Sequence, residues 1–227
     1  CGAFHILALK SDSTIWSWGF NASRQLGQGN TTNLSTPQQI GTDHDWAQIE
    51  CGTVHSGAIK GNGTLWMWGF NLYGQVGNAT NTDVLSPTQV GTANTWKKIS
   101  LGGIHSLGIL EEASQNVLYA WGYNLVGQLG LGTNADVNVP TPVVMPVNQV
   151  LNWKGISAGF QFSTAVAQDG TAWAWGFNGN SQLGLGDTQD RNLIAQIGNL
   201  SNWNQITAGS CFAYGTLTDA TQFSWGF

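Results

Sequence analysis

The side chains that could do chemistry in this chain are few. Its 227 residues carry four His, three Cys, twelve Asp plus Glu and seven Lys plus Arg, and any metal, nucleophile or acid–base site must come from that stock. His5, His55 and His105 lie 50 residues apart, each three residues after a glycine. A ring of imidazoles could bind a metal ion. The simpler expectation is that each donates a hydrogen bond to a neighbouring backbone carbonyl, because Phe162 and Phe212 take the same position later in the chain and a phenyl ring can only pack. His44 stands in Asp43-His44-Asp45, three residues that could hold a cation but read as a solvated loop. Cys1 and Cys51 precede the glycine of the Gly-x-x-His step and Cys211 follows its own glycine by two, so all three read as small buried apolar residues near an axis. No Gly-x-Ser-x-Gly elbow, phosphate loop or zinc-spaced Cys/His set occurs, and no carboxylates recur as a paired acid and base. The expected protein is not an enzyme and uses no cofactor.

What must position these residues is a repeat. Trp-Gly recurs at Trp18-Gly19, Trp68-Gly69, Trp121-Gly122, Trp175-Gly176 and Trp225-Gly226, with spacings of 50, 53, 54 and 50 residues. Self-similarity at that period means one supersecondary unit copied along the chain. All twelve Trp fall on three repeat positions: the Trp-Gly itself, two residues before it (Trp16, Trp66, Trp173), and the start of a Trp-x-x-Ile step (Trp46, Trp96, Trp153, Trp203). They are expected to pack between units. Ile15-Trp-Ser-Trp18 and Leu65-Trp-Met-Trp68 place two aromatics on one side of a strand. The runs 5–9 and 55–59 read as preceding strands, joined to them by turns at Ser11-Asp12-Ser13 and Gly61-Asn62-Gly63. A further strand begins at Trp46 and another covers Pro37–Gly41. Four short antiparallel strands per unit is the pattern of a β-propeller blade.

After each of the first four Trp-Gly steps comes a turn, best written by Trp121-Gly-Tyr-Asn124-Leu-Val-Gly-Gln-Leu-Gly130. With the proline, the Trp-x-x-Ile and the Gly-x-x-His that follow, this resembles the RCC1 (regulator of chromosome condensation) repeat, and the likeness covers essentially the whole chain. The resemblance implies an all-β propeller of four-stranded antiparallel blades, usually about seven to the ring. The chain divides into units 1–50, 51–100, 101–157 and 158–207 and a partial unit 208–227. It is expected to be an incomplete arc of about four to five blades from a longer ring, since the first unit lacks its Trp-x-x-Ile strand and the last its Asn-to-Gly turn. The resemblance also implies guanine-nucleotide exchange on a small GTPase, the activity that named the family, and docking on chromatin. The family includes a plant ultraviolet photoreceptor, but its Gly-Trp-Arg-His-Thr signature falls here on Gly52-Thr-Val-His55-Ser and Gly102-Gly-Ile-His105-Ser, which disfavours that role.

Composition narrows the partners. Charged residues are 8% of the chain and the formal net charge is −5. The only adjacent basic residues are Lys97 and Lys98, which speaks against nucleic acid. No apolar run is long enough to span a membrane. Abundant Asn and Thr suggest an extracellular, cell-surface or virion setting, with a cytoplasmic one as the alternative, and six Asn-x-Ser/Thr sequons begin at Asn21, Asn30, Asn33, Asn62, Asn78 and Asn199. The expected function is a rigid scaffold for protein or glycan contacts through inter-strand loops, with nucleotide exchange or a lectin as alternatives, and with other domains or subunits of a larger assembly as further partners. Residues that break the period are the candidate contacts. They are Arg24 and Ser181, which replace Gly74 and Gly127; Tyr73, an aromatic in a turn; Glu111 and Glu112, which lengthen a hairpin; and Met145, in the lengthened stretch Val143–Val150. Trp18, Trp68, Trp121, Trp175, Trp225, His5, His55 and His105 are assigned to architecture.

Overall fold

The computed structural model describes residues 1–146 and 149–227, and within them the regular structure is entirely β. Val147 and Asn148, inside the lengthened stretch noted above, lie outside the described residues. The first sheet holds β1 (His5–Leu9), β2 (Ile15–Gly19) and β3 (Leu34–Gln39). The second holds β4 (Trp46–Cys51), β5 (His55–Lys60), β6 (Leu65–Gly69) and β7 (Val84–Gln89). The third holds β8 (Trp96–Leu101), β9 (His105–Glu112), β10 (Gln115–Gly122) and β11 (Val137–Pro142). The fourth holds β12 (Trp153–Ala158), β13 (Phe162–Ala167), β14 (Ala172–Gly176) and β15 (Arg191–Gln196), and the last β16 (Trp203–Ala208), β17 (Phe212–Leu217) and β18 (Gln222–Gly226). Every pairing is antiparallel between chain neighbours, and no sheet closes on itself. Five blades of this kind are consistent with an incomplete propeller arc.

Local sequence explains each blade. In the hairpin from β5 to β6, Asn62 Oδ1 accepts from the backbone N–H and the hydroxyl of Thr64, and Thr64 Oγ1 accepts from the Trp66 indole at 2.9 Å. Asp12–Thr14–Trp16 and Asp169–Thr171–Trp173 repeat that chain. The first strands β4, β8, β12 and β16 touch one another and line the inside of the arc. Between blades lies the core, where Trp68, Trp121 and Trp175 are fully buried. Each removes roughly 200 Å² from water, worth at most about 5 kcal/mol at ~25 cal/mol/Å².

The register fixes two faces. His55 pairs with Gly69 at one end of the β5–β6 hairpin and Ile59 with Leu65 at the other. The Gly-x-x-His turns and the long turns after Trp-Gly therefore gather at one end of every blade, and Phe20, Phe70, Tyr123 and Phe177 N–H bonds to Phe4, Val54, Ile104 and Gln161 carbonyls tie them there. The short hairpins lie at the opposite end.

One expectation is corrected. The cysteines are not all buried: Cys1 is exposed and Cys211 half-buried, because the glycine step they flank opens at the loop end, while half-buried Cys51 packs against the Leu7, Trp46 and Trp68 cluster. In the fourth blade Asp187 and Arg191 pair with each other at 2.6 Å within one turn, and Asn192 Nδ2 donates to Asn134 Oδ1 of the preceding blade at 3.1 Å.

Candidate interaction surface and the relays beneath it

A relay crosses each of the first three blade boundaries. His55 Nε2 lies 3.0 Å from Ser106 Oγ, Ser106 Oγ donates to the Gln75 carbonyl at 2.8 Å, and Trp121 Nε1 donates to the same carbonyl at 2.9 Å. Because the hydroxyl proton is spent on Gln75, the imidazole is the donor and Nδ1 is unprotonated. His5–Ser56–Gln25–Trp68 and His105–Ser163–Gln128–Trp175 repeat the arrangement. Burial pushes the imidazole pKa down to about 3 in His55 and His105 and to about 4 in His5. The imidazoles do not reach a backbone carbonyl; the partner is a serine on the next blade, since the ring points across the boundary. At the fourth boundary Phe162 replaces the histidine and Ala213 the serine, both fully buried in one cluster, while Trp225 keeps its bond to the Gln182 carbonyl. Polar donor and polar acceptor leave together, as a buried pair must.

The long turns are built on a buried asparagine. Asn71 Oδ1 accepts from the Val76 N–H at 2.9 Å, and its Nδ2 donates to the Thr80 and Thr82 carbonyls. Its own N–H donates to Asp83 Oδ1 at 2.9 Å. Asn21, Asn124 and Asn178 do the same work and are likewise fully buried. The sequon at Asn21 is therefore closed to a glycan.

On this foundation the loop face is apolar and aromatic. Phe4, Phe20, Leu72, Leu125 and Phe160 are exposed there, Leu125 to 62% and Phe4 to 70%. Tyr73 meets Tyr123 edge-on at 4.9 Å and Phe70 at 6.2 Å, and Phe4 meets Phe20 at 6.3 Å. Burial, then the Asp136 carboxylate, raises the Tyr123 phenol pKa. The aromatic after every Trp-Gly (Phe20, Phe70, Tyr123, Phe177, Phe227) is a signal present in the sequence. So is the Asn or Asp twelve residues after each turn asparagine, seen in Asn33, Asp83, Asp136 and Asp190.

The six candidate contact residues fall on two faces. Arg24, Tyr73 and Ser181 are on the loop face. Arg24 and Ser181 hold φ of 63° and 59° where Gly74 and Gly127 hold 81° and 82°, and the Arg24 guanidinium pairs with Asp83 of the next blade. Glu111, Glu112 and Met145 are at the hairpin end. Glu111 pairs with Lys97, Glu112 accepts from the Tyr119 hydroxyl, and Met145 is half-buried against the Trp153–Trp173 cluster. Asp43 and Asp45 hold the Lys60 ammonium at 2.6 and 3.1 Å, above the Trp46 and Trp66 rings, so that loop is an ion-pair seat. Among the described residues no three His, Cys, Asp or Glu are grouped to hold a metal ion. Among the described residues no helix is long and apolar enough to cross a membrane.

Comparison with known proteins agrees with this architecture. The model of the regulator of chromosome condensation (RCC1) repeat matches residues 12–59, 62–109, 115–166 and 169–214, and a second model of the repeat matches 153–182. The chain is 39% identical over 79 residues to the ultraviolet-B receptor UVR8 of Arabidopsis thaliana, 35% of this chain and 18% of that protein. It is 39% identical over 74 residues to the secretion-regulating guanine nucleotide exchange factor of Mus musculus, 33% of this chain and 16% of that protein. In shape it matches yeast RCC1 (Prp20), seen bound to Kap60, with a TM-score of 0.84 at 23% identity over 99% of this chain and 54% of that one. The chain thus spans about half of that structure and under a fifth of the two sequence relatives. The expected extracellular, cell-surface or virion setting is corrected: the sequence relatives include a guanine nucleotide exchange factor of Mus musculus and the regulator of chromosome condensation of Xenopus laevis, names that point to a nuclear or cytoplasmic role for those proteins. The composition behind that expectation has a structural cause, since the turn asparagines and the hairpin threonines are spent on the hydrogen bonds of the repeat.

Proposed function

The chain belongs to the regulator of chromosome condensation (RCC1) repeat family, and on that premise we propose that it is a protein-binding module whose loop face engages a small GTPase and promotes release of its guanine nucleotide. One observation carries the reading: exposed Phe4, Phe20, Leu72, Leu125 and Phe160, with the Phe70–Tyr73–Tyr123 cluster, lie on one face of a scaffold braced at each blade boundary. Exposed apolar side chains gathered on one face of a rigid support mark an interaction site, and aromatic anchors dominate such interfaces. The mouse exchange factor supports the choice of partner. Exchange needs no bond chemistry in this chain. A module that binds the nucleotide-free GTPase more tightly than the loaded one weakens nucleotide binding by the same factor.

The test is release of a fluorescent GDP analogue from a panel of purified small GTPases. The proposal expects release from at least one of them to accelerate at least tenfold with this chain at micromolar concentration. Background rates across the whole panel would remove the exchange reading.

A further inference from the structure

Carboxylates outnumber cationic side chains here by twelve to seven, so every cation could find a partner. Five do: Lys10 with Asp12, Arg24 with Asp83, Lys60 with Asp43 and Asp45, Lys97 with Glu111, and Arg191 with Asp187. Among the described residues Lys98 and Lys154 have no carboxylate partner, and both line one cleft of about 670 Å³ on the inner side of the arc, between β8, β12 and β16.

Their structural bonds do not need a charge. Lys98 Nζ donates to the Lys154 carbonyl and Lys154 Nζ to the Trp203 carbonyl, both at 2.8 Å, tying one inner strand to the next. Gln48, at the repeat position of Lys98, makes the same kind of tie with an amide, to the Ile99 carbonyl at 3.3 Å. An ammonium has three N–H donors; each lysine spends one on the tie. The cleft walls add the hydroxyls of Ser100, Ser157 and Thr207. Ser100 Oγ accepts from the Ala158 N–H at 3.0 Å and Ser157 Oγ from the Ala208 N–H at 2.9 Å, so each hydroxyl proton remains to be donated. Glu50, at the repeat position of Ser100 and Ser157, is the single carboxylate on the wall, and burial raises its pKa.

We propose that this cleft binds a small phosphate-class oxyanion through the Lys98 and Lys154 ammoniums and the Ser100 and Ser157 hydroxyls. Lysine binds phosphate as a point charge. The site lies on the strands, and Leu101, Ala158 and Ala208 at its edge border the pocket at the loop end.

The experiment is calorimetric titration with inorganic phosphate at constant ionic strength, with chloride as the matched control. The wild type should show saturable binding of one phosphate per chain. K98Q/K154Q should bind at least tenfold more weakly, whereas K10Q/K97Q, which removes the same charge from ion-paired positions, should bind as the wild type does. Absence of saturable binding to the wild type, or equal weakening in the two double variants, overturns the site. Should K98Q/K154Q fail to fold, K98Q alone reproduces the Gln48 tie; its affinity must fall, and unchanged affinity contradicts the proposal.

Discussion

At the scale of single residues, the boundary relay joins one blade to the next. Ser106→Ala would leave the buried His55 Nε2–H without a partner, at a cost of about 1–3 kcal/mol. His55→Phe together with Ser106→Ala would rebuild the Phe162–Ala213 boundary. A double-mutant cycle read by urea unfolding should therefore show coupling of about 1 kcal/mol or more, and strict additivity would count against a paired boundary. The histidines also predict an acid response. Their folded pKa values, at about 3 to 4, lie below the unfolded value of about 6.5, so the unfolded chain binds more protons in between. Stability is full above pH 6.5 and falls as the pH drops toward 4, by about 2 kcal/mol per histidine at pH 5. Thermal unfolding followed from pH 7 to pH 5 should show the melting temperature fall, and the fall should shrink in H55F/S106A. The histidines are legible as architecture because they keep the repeat. Their partner is not, since a serine 51 or 58 residues away meets the ring only once two blades are docked.

At the scale of elements, the turns decide the outcome. Gly77 holds φ +81°, and a Cβ there would lie 2.8 Å from the Trp121 indole nitrogen; Gly91 also holds a positive φ, +61°, with open space around it. Gly91→Ala should cost about 1 kcal/mol, for conformation alone. Gly77→Ala should cost at least about 2 kcal/mol more, because the indole and its bond to Gln75 must shift. Equal costs by chemical denaturation would show that the turn does not key into the next blade. Strand alternation and turn residues make the four-stranded blade legible in the sequence. The apolar loop face is less legible for a physical reason. Phe20, Phe70 and Tyr123 recur at the repeat period, and recurrence by itself suggests packing; a residue can be periodic and still lie at a surface. Off-period residues prove poor guides to a single site, since Arg24, Tyr73 and Ser181 lie at one end of the blades and Glu111, Glu112 and Met145 at the other.

At the scale of the molecule, five blades braced by repeated hydrogen bonds make a rigid arc with two unlike surfaces, an aromatic loop face and a cationic inner cleft. Composition misleads about setting because the repeat itself consumes Asn and Thr. The similarity to GTPase-linked relatives carries the choice of partner, and the loop face carries the place of contact. The most direct test is biosensor binding of the nucleotide-free GTPase panel to the wild type and to the loop-face variant L72D/Y73A/L125D, with K98Q/K154Q as a charge-altered control outside that face. The account predicts that at least one GTPase binds the wild type and K98Q/K154Q alike and binds the loop-face variant at least tenfold more weakly. Undiminished binding to L72D/Y73A/L125D, with its fold intact by circular dichroism, would contradict it.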